Sequence, residues 1–130
     1  MAEEKLLSSK LLLEGGKYKD SISRSYYSIF SAIRAVLSFK GQDFKKHSAI
    51  ISVFRKEYIK TGIFDKRYSD IIGAAFDDRN RSDYDEFFMF FKEDAINQYN
   101  NAKEFLGVVK EYIKRRLEKE GYNKFFMSNV

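Results

Sequence analysis

Residues 18–39 read YKDSISRSYYSIFSAIRAVLSF, and this stretch decides the fold of the protein. Its apolar residues recur at steps of three and four, the spacing that places side chains on one face of an α-helix. They are Ile22, Tyr26, Ile29, Phe30, Ile33, Val36 and Leu37. The stretch therefore predicts a long amphipathic helix whose apolar face packs against other helices.

The segments on either side of this stretch predict four further helices. Glycine residues follow most of the apolar patterns, and glycine readily adopts the left-handed conformation that ends a helix. Asp65 is a predicted N-cap of the fourth helix, whose apolar pattern fades within residues 79–85. Phe88 and Phe91 open the apolar face of the fifth and longest helix. The predicted helices cover about residues 2–14, 18–39, 47–59, 65–85 and 87–120.

The arrangement of these helices follows from their connections. No segment alternates apolar and polar residues with the period of two that marks a strand. Short connections favour antiparallel neighbours, so we predict an all-α fold, an antiparallel up-and-down bundle of about five helices. A length of 130 residues is typical of one domain. We assign residues 1–120 to the bundle and 121–130 to a C-terminal tail, which docks through Phe125 and Phe126 or frays.

The composition excludes several classes of function. The chain has no cysteine and one histidine, so it cannot form a disulfide, a thiolate metal site or a His/Cys zinc site. It contains no glycine-rich phosphate loop of the P-loop or dinucleotide-binding type. We expect no metal site and no cofactor. No apolar run reaches the roughly 18 residues of a membrane span, and we expect a cytoplasmic protein without membrane contact.

The charge favours an anionic partner. The formal net charge is +5, and several basic residues lie in and around the third predicted helix. They form either a solvated face or a surface that follows a phosphate backbone. These residues are Lys45, Lys46, Arg55, Lys56, Lys60, Lys66 and Arg67.

Residues 77–85, DDRNRSDYD, concentrate charge at the end of the fourth helix. Arg79 and Asp83 are four residues apart and therefore share one helical face. One interpretation is a salt-bridged, solvated helix end. The other is a cleft in which the planar guanidinium of Arg79 binds a phosphate, with a carboxylate and a phenol beside it to orient it.

Three blocks of sequence together resemble the HEPN domain family. Residues 25–32, SYYSIFSA, are similar to a Tyr-Tyr-x-x-Phe-x-Ala stretch in the second helix of that family. Residues 46–54, KHSAIISVF, resemble the Thr/Lys-His-Ser opening of its third helix. Residues 79–84, RNRSDY, resemble the Arg-x-x-x-Asp-Tyr signature of a branch of small uncharacterised prokaryotic members. The blocks lie in the expected order and span roughly residues 5–115.

The resemblance implies a bundle of four to five helices that usually dimerises, with the signature motifs of both subunits facing a shared cleft. Many members look like toxins paired with a minimal nucleotidyltransferase. The implied function is binding of RNA or a nucleotide at the Arg-x3-Asp-Tyr cleft by a toxin-type ribonuclease. The alternative is a non-catalytic module that docks a nucleotidyltransferase, with the motif stabilising the homodimer.

The resemblance also suggests the site residues. The ribonuclease members are metal-independent and carry an arginine, a polar residue, a short spacer and a histidine. Arg79 and Asn80 match the first half, whereas Asp83 and Tyr84 stand where the histidine is expected. The candidate catalytic residues are Arg79 and Asp83. Because an aspartate with its ordinary pKa of about 3.9 is a poor base at pH 7, the sequence leaves enzymatic activity open.

Two further residues complete the candidate site. His47 substitutes for the missing histidine if the fold brings it to the motif; otherwise it is a packing residue at the start of its helix. The expected RNA- or nucleotide-binding residues are Arg79, Asn80, Tyr84 and His47. Tyr84 is also a candidate for adenylylation, since some members are modified on a tyrosine just past the motif. The Tyr26-Tyr27 pair is assigned to the core and its flank.

Overall fold

All five predicted helices are present in the computed structural model, which describes residues 1–85, 87 and 89–120. A 3-10 turn, Ser38–Lys40, extends the second helix, and a π-helical turn, Arg55–Ile59, extends the third. Within the described residues there is no strand. The prediction of an all-α helical bundle is therefore confirmed. The helices are α1 (Ala2–Glu14), α2 (Tyr18–Leu37), α3 (His47–Phe54), α4 (Arg67–Tyr84) and α5 (Lys92–Lys119).

Helix α2 is the central element of the bundle and contacts each of the other four helices. Its predicted apolar face is buried, with Ile33, Val36 and Leu37 fully excluded from solvent. Phe105 and Val109 of α5 are equally buried in the same core. Burial of one such side chain contributes about 1.5–3 kcal/mol, so this face outweighs local propensity in placing α2. The charged residues of α2 lie outside this core, whereas Ser21, Ser25 and Ser28 are buried on the side that faces α1.

Serine hydroxyls join α1 to α2. Ser9 is fully buried and donates to the Ser21 carbonyl oxygen at 2.9 Å. Its oxygen also lies 2.6 Å from the Ser25 hydroxyl, while the Ser21 hydroxyl donates to the Ser9 carbonyl at 2.8 Å. Ser28 donates to the carbonyl of Ala2 at 2.9 Å. These bonds satisfy the buried hydroxyls, and together they fix the α1–α2 contact beside the Tyr26-Tyr27 pair.

Helix α4 continues through Tyr84, so the charged segment 77–85 forms its last turns. Two contacts hold this end in place: Gln98 of α5 donates to the Asp78 carboxylate at 2.7 Å, and the Ser82 hydroxyl donates to the Lys19 carbonyl at 3.4 Å. At the other end the N-cap is Lys66, not Asp65 as predicted. The Asp65 carboxylate nevertheless accepts from the Arg67 backbone N–H at 2.9 Å.

The predicted start of the fifth helix is wrong. Helix α5 begins at Lys92, where the carboxylate of Asp94 in the first turn accepts the N–H of the N-cap residue Phe91 at 2.7 Å, one half of a capping box. Phe87, Met89 and Phe91 precede the helix and are exposed, so the apolar pattern in this stretch does not mark the core. Phe88, Phe125, Phe126 and the predicted tail 121–130 lie outside the described residues. None of the described helices has the length and apolarity of a membrane span.

Candidate functional site

Arg79 is the centre of the candidate site. Its side chain is only 16% exposed, and its Nη2 donates to the Tyr27 hydroxyl at 2.8 Å. Its Nε lies 2.9 Å from Asp83 Oδ2, the (i, i+4) pair predicted from the sequence. Its Nη1 is 3.4 Å from Asn80 Oδ1. Because α2 and α4 both hold it, the guanidinium is oriented before any ligand binds.

Aromatic rings surround this guanidinium. The Cζ atom of Arg79 lies 5.6 Å from the ring centroids of both Tyr26 and Tyr27, and 5.8 Å from that of Tyr84. Rings at this distance stabilise a cation through their quadrupoles. Burial alone lowers the pKa of Arg79, but the Tyr27 hydrogen bond and the negative charge of Asp83 outweigh it, so the net pKa is raised. Arg79 is a permanent, oriented cation.

The fold brings His47 into the same cluster. Its Nδ1 lies 2.8 Å from the Tyr26 hydroxyl, and its ring centroid is 4.0 Å from that of Phe30. The Tyr27 ring meets it edge-on at 6.3 Å. Burial lowers the pKa of His47 below its usual 6.5, and the charges of Arg79 and Arg34 lower it further. His47 is therefore neutral at pH 7 and can accept a proton.

Tyr26 links His47 to Arg79. It is 1% exposed, and burial raises the pKa of its phenol far above the ordinary value, although the charge of Arg79 opposes the shift. The phenol thus stays protonated at any physiological pH. It can either donate to Nδ1 of His47 or accept a proton from Nδ1–H, and the choice sets which ring nitrogen of the neutral histidine carries the proton.

Asp83 and Tyr84 form the solvent side of the site. Because the Asp83 carboxylate is paired with Arg79, the geometry supports orienting the guanidinium more than abstracting a proton. Tyr84 is 77% exposed, and its ring lies over the same guanidinium. An exposed ring beside a fixed cation can stack with a nucleobase whose phosphate binds the cation.

All five predicted site residues, Arg79, Asn80, Asp83, Tyr84 and His47, lie in this one cluster. The sequence did not identify the site roles of Tyr26 and Tyr27. Both occur in the 25–32 block that carries the family resemblance, and this block was the only available signal. Tyr26 is a core residue as predicted, but its hydroxyl also faces the site.

The basic residues in and around α3 fall into two groups, arginines that are bonded to neighbouring residues and lysines that are exposed. Arg55 donates to the Ser69 carbonyl at 2.9 Å, and Arg67 pairs with Glu104. The lysines at 45, 46, 56, 60 and 66 are exposed to solvent. Over the described part of the chain, no group of three or more acidic or histidine side chains is placed to hold a metal ion.

Comparison with known proteins identifies relatives over most of the chain. The model of the HEPN domain matches residues 1–112. A UPF0332 protein of Thermotoga maritima is 32% identical over 112 residues, which cover 86% of this chain and 85% of that protein. The "Putative toxin MJ0142" of Methanocaldococcus jannaschii is 35% identical over 112 residues, 86% of this chain and 76% of that protein. A UPF0332 protein of Archaeoglobus fulgidus is 30% identical over 114 residues, 88% of this chain and 90% of its own.

Proposed function

Since this chain belongs to the HEPN domain family, we propose that it is a toxin-type protein that binds single-stranded RNA at Arg79 and cleaves it without a metal ion. One observation supports this proposal above all. A guanidinium held in a fixed orientation and a neutral imidazole lie in the same aromatic cluster. The histidine missing from the Arg-x3-Asp-Tyr motif is replaced by His47, contributed by a different helix.

The geometry of the cluster supports a role for each residue. Arg79 binds a phosphate of the RNA through the N–H groups that its neighbours leave available, and Tyr84 stacks with an adjacent base. His47 accepts the proton of the 2′-hydroxyl. The 2′-oxygen then forms a bond to phosphorus, the bond from phosphorus to the 5′-oxygen breaks, and water protonates that leaving oxygen. The products are a 2′,3′-cyclic phosphate and a 5′-hydroxyl.

This role of His47 requires one tautomer. In that tautomer Nδ1–H donates to the Tyr26 hydroxyl 2.8 Å away, and the lone pair of Nε2 accepts the proton. Tyr26 thereby orients the His47 ring, as a hydrogen-bonded partner commonly does for a catalytic histidine. Asn80 and Asp83 position Arg79 and take no proton in this scheme.

The test is cleavage of labelled RNA in excess chelator by wild type, Arg79→Gln and His47→Asn. The asparagine amide keeps a partner for Tyr26 near the position of Nδ1 and removes the base. We expect Arg79→Gln to lose binding and cleavage, and His47→Asn to bind RNA normally but cleave about 10²–10⁴-fold more slowly. Circular dichroism checks that each variant is folded. Undiminished cleavage by folded His47→Asn would exclude His47 as the base.

A second candidate function is docking of a minimal nucleotidyltransferase without catalysis. Tyr84 of the site and three residues that follow it in the chain, Phe87, Met89 and Phe91, are exposed large apolar side chains, and such surface commonly marks a protein interface. The toxin name of the Methanocaldococcus jannaschii relative also favours a paired partner. RNA that is neither bound nor cleaved by wild type, together with co-purification of a nucleotidyltransferase, would favour this function.

Several related proposals have direct measurements. We propose a homodimer in the cytoplasm formed by residues 1–120, and light scattering of the full chain and of that fragment tests the assembly.

The exposed Tyr84 hydroxyl is accessible for adenylylation by the nucleotidyltransferase. Mass spectrometry after incubation of the two proteins with ATP would find one AMP on the peptide that contains Tyr84, and none on a Tyr84→Phe variant.

A further inference from the structure

We infer that Lys5, Ser31 and Arg34 form a second phosphate-binding subsite, which holds the same RNA strand that Arg79 binds. This inference deepens the proposed function and rests on it for the identity of the ligand. The subsite itself is a separate pocket of about 440 Å³ between α1 and α2. It belongs to neither the Arg79 cluster nor the motif at residues 77–85.

The pocket contains donors suited to an anion. Lys5 Nζ is part-buried and donates to the Ser31 hydroxyl oxygen at 2.8 Å. An ammonium has three N–H groups, so two remain available, and the Ser31 hydroxyl hydrogen is also free to donate. The Arg34 side chain is 51% exposed at the rim. Two cations and a hydroxyl donor therefore face one cavity.

The carboxylate nearest to Arg34 does not close the subsite. Asp43 Oδ1 accepts from Arg34 Nη2 at 2.9 Å, and its pKa is lowered by that hydrogen bond. A guanidinium has five N–H donors, and this contact uses one of them. Asp43 is exposed and holds the Arg34 fork in place, as Asp83 does for Arg79.

Helix α2 connects the two sites in one row. Tyr27, Ser31 and Arg34 are spaced by four and three residues and therefore lie on one helical face. Tyr27 binds Arg79 and Ser31 binds Lys5. Seven residues at 1.5 Å each place Arg34 about 10 Å along α2 from Tyr27. At the roughly 3.4 Å axial rise per nucleotide of one strand in a stacked duplex, that distance corresponds to about three nucleotide steps.

His47 lies between the two arginines in this network of contacts. Arg34 Cζ is 5.6 Å from the Phe30 centroid, and Phe30 packs against His47 at 4.0 Å. Arg79 reaches His47 through Tyr26. The charges of both arginines lower the pKa of His47, which is consistent with both being near it. An RNA strand held at Arg79 and Arg34 would therefore pass His47, the proposed general base.

The pocket is tested first without RNA. Inorganic phosphate is titrated into ¹⁵N-labelled wild type, Lys5→Met and Lys114→Gln, and the amide signals of Ser31, Ala35 and Ser38 are followed by NMR. Lys114→Gln is the matched control because it removes one exposed lysine from α5. We expect saturable shifts in wild type and in Lys114→Gln, and their loss in Lys5→Met. Shifts absent from wild type, or unchanged in Lys5→Met, would overturn the subsite.

The link to RNA is tested by the salt dependence of binding. Kd for a single-stranded RNA is measured at several salt concentrations for wild type, Arg34→Gln and Lys114→Gln. Loss of one phosphate contact should reduce the slope of log Kd against log salt by about 0.7 in Arg34→Gln and leave it unchanged in the control. An unchanged slope in Arg34→Gln, with binding still dependent on Arg79, would overturn the inference and leave the proposed function standing. Failure of wild type to bind RNA would instead overturn the proposed function and the RNA role of the subsite with it.

Discussion

The hydrogen bond from Arg79 to Tyr27 offers a quantitative test of how the site is organised. Tyr27→Phe removes the hydroxyl that accepts from Nη2 at 2.8 Å but keeps the ring whose centroid lies 5.6 Å from the guanidinium. A hydrogen bond to a charged group contributes about 1.5–3 kcal/mol when buried. Arg79 is 16% exposed, so some solvent replaces the lost acceptor. We therefore expect the free energy of unfolding to fall by about 1.5 kcal/mol.

A double-mutant cycle separates this bond from other effects of the substitutions. Urea unfolding is measured for wild type, Tyr27→Phe, Arg79→Met and the double variant. If the contact exists, the two losses should fail to add by about 1 kcal/mol, whereas unconnected sites add within about 0.5 kcal/mol. Tyr18→Phe, also on α2 but outside the Arg79 cluster, is the matched control and should change stability little. Additive losses would refute the claim that Tyr27 holds Arg79.

Three further predictions follow from the packing and charge of the described residues. The lone histidine gives a single set of imidazole signals, and an NMR titration should show a pKa below 6.5 for His47 that rises in Arg79→Met. Because the pKa is lower in the folded chain, the unfolded chain binds more protons near pH 6. The free energy of unfolding should therefore decrease as the pH falls from 6.5 through the pKa of the folded state, and urea unfolding at several pH values checks this sign. Ser9→Ala removes a buried hydroxyl that bonds Ser21 and Ser25, and it should cost about 1–3 kcal/mol by chemical denaturation, while the less buried Ser8→Ala should cost well under 1 kcal/mol. Asp94→Ala deletes the acceptor of the Phe91 N–H and should lower the free energy of unfolding by about 1 kcal/mol. The control Glu93→Ala changes an exposed residue one position earlier and should have a smaller effect. Equal losses in the two variants would show that the Asp94 contact does not define the start of α5.

Helical periodicity carried most of the information about the fold. The apolar positions of residues 18–39 predicted both α2 and its buried face, because residues spaced three and four apart lie on the same face of an α-helix. The same reliance on apolar spacing led to the wrong predicted start of α5. Phe91 was assigned to the apolar face of the fifth helix, but it is the N-cap residue before Lys92 and is exposed. Periodicity does not report whether an apolar side chain is buried.

The sequence by itself determined the number and approximate extent of the helices and the local (i, i+4) pair of Arg79 and Asp83, because both depend on residues that are neighbours along the chain. Only the tertiary structure decided which distant residues meet that pair. Tyr27 lies 52 residues from Arg79, and His47 lies 21 residues from the Tyr26 hydroxyl that it contacts. Their proximity follows from the packing of α2, α3 and α4, and so do the burial and nearby charge that keep His47 neutral. Spacing along one helix cannot specify contacts between helices, and the chemistry of this site depends on those contacts.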